Sequence, residues 1–361
     1  MAQDAVDIAV VGGGVMGLAT AWELVRRGLR PVVLERFAPG HTHGASHGAT
    51  RNFNNAYSEE HYLDLLERSR AGWDALGPVD GAPLLRLHGL VTHGDVDVVS
   101  VQAGLARRGI PAELWTPAEA HRRWPGMRFG SDVLWSSDAG VVRAADALRE
   151  LERRIVAGGG AVRWETPVDR IGQDPASALL ALADGTTLRA DTVVVTAGAW
   201  SAKLLGGIGL PRLRVTEEAP AHFPPLTDAS WPSFNHYVPP NDYPATVYGM
   251  PTPGEGIKVG FHQVGDEVDP DARPRRTTHA ESLRAYVREW MPGLDADSAV
   301  HLSCTYTSTD DSDFVLDRRG RIVIGAGFSG HGFKFATGVG GVLADLALDP
   351  AARAAGPFRL P

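Results

Sequence analysis

The chain opens on a nearly unbroken apolar run. Residues 6–11 (VDIAVV) lack the polar alternation of a half-exposed strand, which predicts a strand buried on both faces. Three glycines follow, and then a helical period from Met16 to Arg27 that ends at Gly28, a residue suited to the position after a helix. Residues 31–35 (PVVLE) read as a second strand, so the opening is a βαβ unit. The same signature returns twice: 191–196 (DTVVVT) runs into AGAW at 197–200, and 321–324 (RIVI) runs into GAG at 325–327. Residues 144–158 form an amphipathic helical pattern, and another helical stretch over 335–348 closes the chain. The intervening blocks differ. Residues 81–139 are mixed, and 220–253 hold nine of the 25 prolines with many aromatics, which suits loops and edge strands rather than a parallel core. The pattern predicts an α/β fold whose nucleotide-binding domain is interrupted twice by a second domain, with no internal repeat.

Composition narrows this picture. A length of 361 residues allows two domains or one large one, with 43% hydrophobic and 22% charged residues as in ordinary soluble proteins. The net charge of −8 is spread along the chain, which argues against a nucleic-acid or anionic membrane surface. There is no apolar run of membrane-spanning length, and a strand beginning near Val6 leaves no room for a signal peptide, so a cytoplasmic protein is expected. The single cysteine, Cys304, excludes an intramolecular disulfide. Only three of the 35 basic residues are lysines, namely Lys203, Lys258 and Lys334. Lysine offers what arginine cannot, a compact charge whose pKa can move.

The glycines at 12–17 satisfy G-x-G-x-x-G. Gly12 permits the tight turn and Gly14 lets a pyrophosphate approach. Gly17 allows helix and strand to pack closely, and the phosphates meet the helix N-terminus at Val15 and Met16. Glu35 lies 23 residues after Gly12, near the position of a ribose-binding acid, and it disfavours a 2′-phosphate. FAD and NAD remain open. The histidines at 41, 43 and 47 have no carboxylate or cysteine at ligand spacing, and no metal site is expected. Residues 256–262 (GIKVGFH) alternate like a strand, placing Lys258, Gly260 and His262 on one face, either a wet sheet face or a polar pocket. GAGFSGHG at 325–332 again offers backbone N–H groups ahead of a helix.

Taken together, GGGVMG at 12–17, SHGATR at 46–51, RWPG at 123–126, AGAW at 197–200, GIKVGFH at 256–262, CTYT at 304–307 and GFSGHGFKF at 327–335 resemble the monomeric sarcosine oxidase and N-methyltryptophan oxidase family of D-amino-acid-oxidase-like flavoproteins. The resemblance covers nearly the whole chain. It implies a Rossmann-like FAD-binding domain (1–80, 141–212 and 303–361) and a substrate domain on a mostly antiparallel sheet (81–140 and 213–302). It implies FAD attached through its 8α-methyl to a cysteine sulfur, matched by Cys304. FAD contacts are implied for Gly12, Gly14, Val15, Met16, Gly17, Glu35, Arg36, Ser46, His47, Thr50, Arg51, Ala197, Gly198, Trp200, Gly327, Gly330, His331, Gly332, Phe333 and Lys334. The implied reaction oxidises the C–N bond of a neutral secondary amine, whose lone pair drives hydride loss from the adjacent carbon, and passes the electrons to O2, giving an imine and H2O2. Lys258 matches the lysine that supports O2 activation, and Arg51 a basic residue near the flavin ring. His262, Tyr306 and Lys334 match the catalytic substrate site, and Tyr248 and Asn54 complete the expected pocket. Sarcosine oxidases carry an arginine at the position of Asn54, so a different amine is expected as substrate. The implied partners are the small-molecule amine and O2, without nucleic acid or membrane, and the family expectation is a monomer. The competing readings are a flavin dehydrogenase with another acceptor, a nicotinamide-dependent reductase, and a non-enzymatic flavin binder.

Overall fold

The computed structural model describes residues 5–239 and 241–360. Ala5–Val11 pairs in parallel with Val32–Leu34 on one side and with Thr187–Val195 on the other. Ala161–Arg163 extends the sheet beyond Val32–Leu34, and Ile322–Ala326 pairs in parallel with the end of Thr187–Val195. The chain therefore builds outward to one side of the first strand and then to the other. The glycine turn after Val11 lies at the C-terminal edge of that reversal, where open α/β sheets bind their ligands. Val10, Val33, Val194 and Val323 send side chains to one face. Leu18 and Trp22 of the Val15–Arg26 helix, Leu151 and Ile155 of Ala144–Ala157, and Val339 and Leu343 of Ala336–Leu348 cover it. The other face is sealed by a ribbon of Val168–Gln173 and Ala178–Leu182.

Thr187–Val195 starts earlier than the apolar run alone suggests. Its first half pairs with Ala178–Leu182 and its second half with Ile322–Ala326, so the polar residues Thr187 and Arg189 still belong to the ladder.

A second sheet of eight strands follows the order Val300–His301, Ala221–Phe223, Gly256–Phe261, Val247–Thr252, Ser233–Tyr237, Leu90–Gly94, Val133–Ser136, Glu113–Trp115. All its pairings are antiparallel except that of Ser233–Tyr237 with Leu90–Gly94. The proline-rich block thus supplies interior strands, contrary to the loops and edge strands expected from its composition. Pro220, Pro224, Pro232 and Pro253 directly flank strands. Pro251 lies inside one, but past the end of the pairing with Ser233–Tyr237, so its missing N–H breaks no ladder on that side. A small sheet pairs Arg214–Glu218 with Cys304–Ser308 and with Asp266–Glu267.

The interior of the eight-stranded sheet holds a stacked histidine pair. His93 and His236 sit in register on adjacent strands with ring centroids 4.1 Å apart, and are 1% and 2% exposed. His236 meets the Tyr286 hydroxyl at 2.9 Å, whereas His93 Nδ1 has no hydrogen-bond partner among the described residues. Burial lowers both, His236 to about 4 and His93 well below the ordinary range. The native state keeps both neutral while the unfolded chain protonates below about pH 6.5, so this contribution is present above that pH and lost as pH falls toward 4. The His93→Phe variant should lose about one proton's worth of this dependence. At pH 5 it should recover up to about 2 kcal/mol of its deficit relative to pH 7.5. Urea midpoints at the two pH values check this, and an unchanged pH slope would contradict it.

Candidate active site

Backbone geometry shapes the glycine turn. Gly12 has φ +105°, and a Cβ there would lie 2.4 Å from the Thr196 carbonyl oxygen. A Cβ on Gly17 would lie 1.9 Å from the Gly12 oxygen, so the helix can start directly over the strand end only with glycine here. Gly14 caps this helix without a side-chain bond, and Val15 N–H donates to Ser46 Oγ at 3.0 Å. Glu35 accepts from Gly13 N–H at 2.6 Å and from Phe37 N–H at 2.9 Å. His41 Nε2 lies 3.6 Å from the same carboxylate, so one of the three early histidines does have a carboxylate neighbour that spacing did not reveal. No group of three or more His, Cys, Asp or Glu side chains suited to a metal occurs among the described residues.

A cavity of about 1200 Å³ runs from this turn and Glu35, past His47 and Arg51, to Lys258, His262, Cys304, Tyr306 and Lys334. Its volume exceeds the roughly 300–1000 Å³ of ordinary small-ligand sites. Part of its wall is the eight-stranded sheet. Lys258 lies on the Gly256–Phe261 strand and His262 directly after its end, Tyr248 pairs with Gly260 on the next strand, and Asn235 pairs with Tyr248 beyond it. The small sheet contributes Cys304 and Tyr306, and the Tyr306 and Tyr248 hydroxyls meet at 3.4 Å.

At the end of the cavity that holds Lys258 and Lys334 the buried charges are cations. Lys258 is 6% exposed, and its Nζ makes no hydrogen bond or ion pair among the described residues. Burial, then the charge of Arg51, bring it down to about 7. Lys334 is 3% exposed and is brought to about 7 by burial, with Nζ donating to the His331 carbonyl at 2.8 Å and lying 5.0 Å from the Tyr57 ring. Arg51 spends its guanidinium on the carbonyls of Thr50 at 2.9 Å, Ala45 at 2.8 Å and His47. Burial together with Arg51, Lys258 and Arg273 lowers His47 to about 3, and burial and Lys334 lower His262 to about 4. Burial raises Tyr248 to about 12 and Tyr306 well above the usual range. At neutral pH His47, His262, Tyr248 and Tyr306 are uncharged, and Lys258 and Lys334 stand near half-protonation.

Residues 7–346 match the family described as FAD dependent oxidoreductase. The chain belongs to that family. It is 31% identical to monomeric sarcosine oxidase of Bacillus sp. (strain B-0618), over 95% of this chain and 92% of that protein. It is 33% identical to the human peroxisomal sarcosine oxidase over 96% and 93%. The structure of NikD, "an unusual amino acid oxidase essential for nikkomycin biosynthesis", superposes with a TM-score of 0.87 at 26% identity, covering 99% of this chain and 98% of that one. The protein is thus an FAD-dependent oxidoreductase of the group acting on CH–NH donors. No helix among its described residues is long and apolar enough to cross a membrane.

The donor set fits FAD. The helix start, which has no side-chain cap from Gly14, would meet a pyrophosphate, and Glu35, whose oxygens accept from the Gly13 and Phe37 N–H groups, would meet a ribose. Of the residues expected at the site, Gly12, Gly14, Val15, Met16, Glu35, Arg36, Ser46, His47, Arg51, Asn54, Ala197, Gly198, Trp200, Tyr248, Lys258, His262, Cys304, Tyr306, Gly330, His331, Gly332, Phe333 and Lys334 line the cavity. Gly17, Thr50 and Gly327 do not. Gly17 acts through packing, the Thr50 hydroxyl meets that of Thr252 at 2.8 Å, and Gly327 packs beside Thr309.

Several neighbours of the site carry no mark in the sequence. Tyr57 lines the cavity, and its hydroxyl meets His331 Nδ1 at 3.0 Å. Arg273 acts electrostatically on His47 and donates to the Thr42 carbonyl at 2.7 Å. Asp271 accepts from Arg36 at 2.7 Å, Trp200 at 2.8 Å and Lys203 at 2.5 Å, and Lys203 also reaches Asp269. Lys203 therefore ties the segment after Trp200 to the 269–273 segment. Tyr57 closes the polar run RNFNNAY, where periodicity has no say. Arg273 sits in an arginine-rich stretch in which nothing singles it out.

Proposed function

We propose that this protein oxidises the C–N bond of a secondary amine or amino acid to an imine, with O2 reduced to H2O2, and that its preferred substrate is larger than sarcosine or holds its acid group differently. The observation that carries this reading is a pair of buried lysines in one cavity, Lys334 tethered to a turn and Lys258 without a partner. Bound FAD supplies the hydride acceptor and the route of electrons to oxygen. Lys334, positive below about pH 7, would pair with a substrate carboxylate, and that pairing would itself hold the proton on the ammonium. The same positive surroundings disfavour a substrate ammonium, so the amine is bound with its lone pair free. Neutral His262, Tyr248 and Tyr306 line this region without adding charge. The reading divides the chain into an FAD-binding unit (1–80, 141–212 and 303–361) and a substrate unit (81–140 and 213–302). It also attaches FAD through Cys304, which is buried and faces the cavity.

An anaerobic amine panel tests the reading: at least one secondary amine should bleach the flavin, and admitting O2 should restore the colour with release of peroxide. A flavin that no amine bleaches would defeat it. Asn54 bears on the substrate. Its Oδ1 accepts from Ala56 N–H at 2.8 Å, leaving only an uncharged amide NH2 for the cavity. A charged hydrogen bond contributes about 1.5–3 kcal/mol. Asn54→Arg should therefore raise kcat/KM for sarcosine by about tenfold or more. Sarcosine turnover by wild type and variant decides it, and efficient sarcosine oxidation by the wild type would overturn the substrate assignment.

A further inference from the structure

Three residues with strained backbones converge near Lys334, with Ser312 and Ser329 on the cavity wall and Gln263 behind it. Gln263 has φ +60°, Ser312 +65° and Ser329 +47°, three of the eight non-glycine residues with positive φ among those described. They are bonded to one another, since Gln263 Nε2 donates to Ser312 Oγ at 3.2 Å and to the Ser329 carbonyl at 3.1 Å. Such conformations persist where the surroundings over-determine them, and they cluster at functional sites. The bonds continue inward. The Ser312 carbonyl lies 3.2 Å from His331 Nε2, and His331 Nδ1 lies 3.0 Å from the Tyr57 hydroxyl. This pairing fixes one neutral tautomer, with Nε2–H donating to the carbonyl and Nδ1 accepting from tyrosine. The His331 backbone carbonyl then holds Lys334 Nζ at 2.8 Å. Gln263 does not line the cavity, although the residue before it, His262, does.

We propose that Gln263 is a positioning residue that fixes the 329–334 turn and, through His331, sets where the Lys334 ammonium meets a substrate carboxylate. The inference rests on the amine-oxidase reading and adds to it a control point outside the cavity. Its amide ties two loops to its own strand end, one carrying Ser312 and the other the turn itself, and adds to the links these loops already share through the Thr309 and Ser329 hydroxyls at 3.4 Å and through His331. Without it, each loop can relax from its left-handed residue, and the His331 ring and carbonyl move with them.

Glycine makes the test clean, because it adopts positive φ freely. Gln263→Gly removes both donor bonds and relieves backbone strain. Ser312→Gly removes the hydroxyl but keeps the carbonyl that faces His331. Both variants should keep Tm at or above the wild-type value. Each should raise KM for a carboxylated amine that the wild type oxidises by about tenfold, the size of one hydrogen bond, with kcat within about threefold. Acetate, titrated into the oxidised holoenzyme and followed by flavin absorbance, should bind more weakly by a similar factor. The double variant should be no worse than Gln263→Gly alone, because the bond that Ser312→Gly removes is one of the two that Gln263→Gly already removes.

An unchanged KM and acetate affinity in Gln263→Gly would overturn the proposal. So would additive effects, or a lowered Tm with kcat and KM degraded together, which would mark a merely structural residue. Absence of any acetate response in the wild type would overturn the placement of a carboxylate at Lys334. Failure of the amine-oxidase reading would show separately, as a wild-type flavin that no amine reduces.

Discussion

The Lys258→Met variant is expected to react with O2 about 10²–10³ times more slowly than the wild type, while amine reduces its flavin at close to the wild-type rate. The magnitude is that of removing one preorganised charge aimed at charge developing in a transition state. Electron transfer to O2 creates negative charge, and in a site excluded from water a fixed cation stabilises it at no reorganisation cost. Lys258 is suited to this work because nothing competes for it: its Nζ has no hydrogen bond or ion pair among the described residues. Arg51 cannot substitute. Its guanidinium is committed to the carbonyls of Thr50, Ala45 and His47. Methionine has similar length and leaves no buried polar atom without a partner, so the variant isolates the charge.

The pH dependence has a definite sign. Burial and Arg51 bring Lys258 to about 7, so its charge is present below that value and lost as pH rises through it. The O2 reaction of the wild type should therefore fall above about pH 7, and that of the variant should be flat there. Stopped-flow measurement of the two half-reactions checks both points. Equal slowing of reduction and reoxidation, or an unchanged O2 rate, would remove Lys258 from the oxygen reaction.

The parts of this molecule that could be read from its sequence are those whose physics is local. The turn at 12–17 demands a positive φ at Gly12 and a missing Cβ at Gly17, and both demands are met within a few residues of each other and of the strand they follow. Buried parallel strands announce themselves as apolar runs. The proline-rich block misled because proline position relative to a ladder, not proline count, decides whether a strand can be interior. Pro251 shows this, since it sits where one neighbouring strand has already ended. The contacts that assemble the site are long-range. Lys203 finds Asp269 and Asp271 more than 60 residues away, and Gln263 finds Ser312 and Ser329 49 and 66 residues on. No spacing rule encodes such meetings. The scarcity of lysine was a usable signal of another kind. In a chain that writes its positive charge as arginine, two of three lysines are buried in one cavity, at positions where a pKa near 7 is available.

Cys304→Ala should abolish acid-stable flavin: the wild-type pellet after acid precipitation should be yellow, and the variant's colourless with its FAD in the supernatant. The sulfur is buried at the start of the Cys304–Ser308 strand, opposite Glu218, and it faces the cavity. Negative charge at Cys304 acts favourably on both Lys258 and Arg273, so the sulfur lies within the electrostatic reach of two cations drawn from different segments. No other thiol exists in the chain to take its place. The substitution is small and keeps the strand, so the helix start, Glu35 and the 328–334 segment should still bind FAD, now reversibly, and dilution or dialysis should strip it. A colourless wild-type pellet would remove the covalent bond altogether. A pellet that stays yellow in the variant would move the bond to another nucleophile on the cavity wall. His47 would then be the first to test, because its Nε2 is buried without a partner among the described residues and its low pKa keeps the ring nitrogen unprotonated.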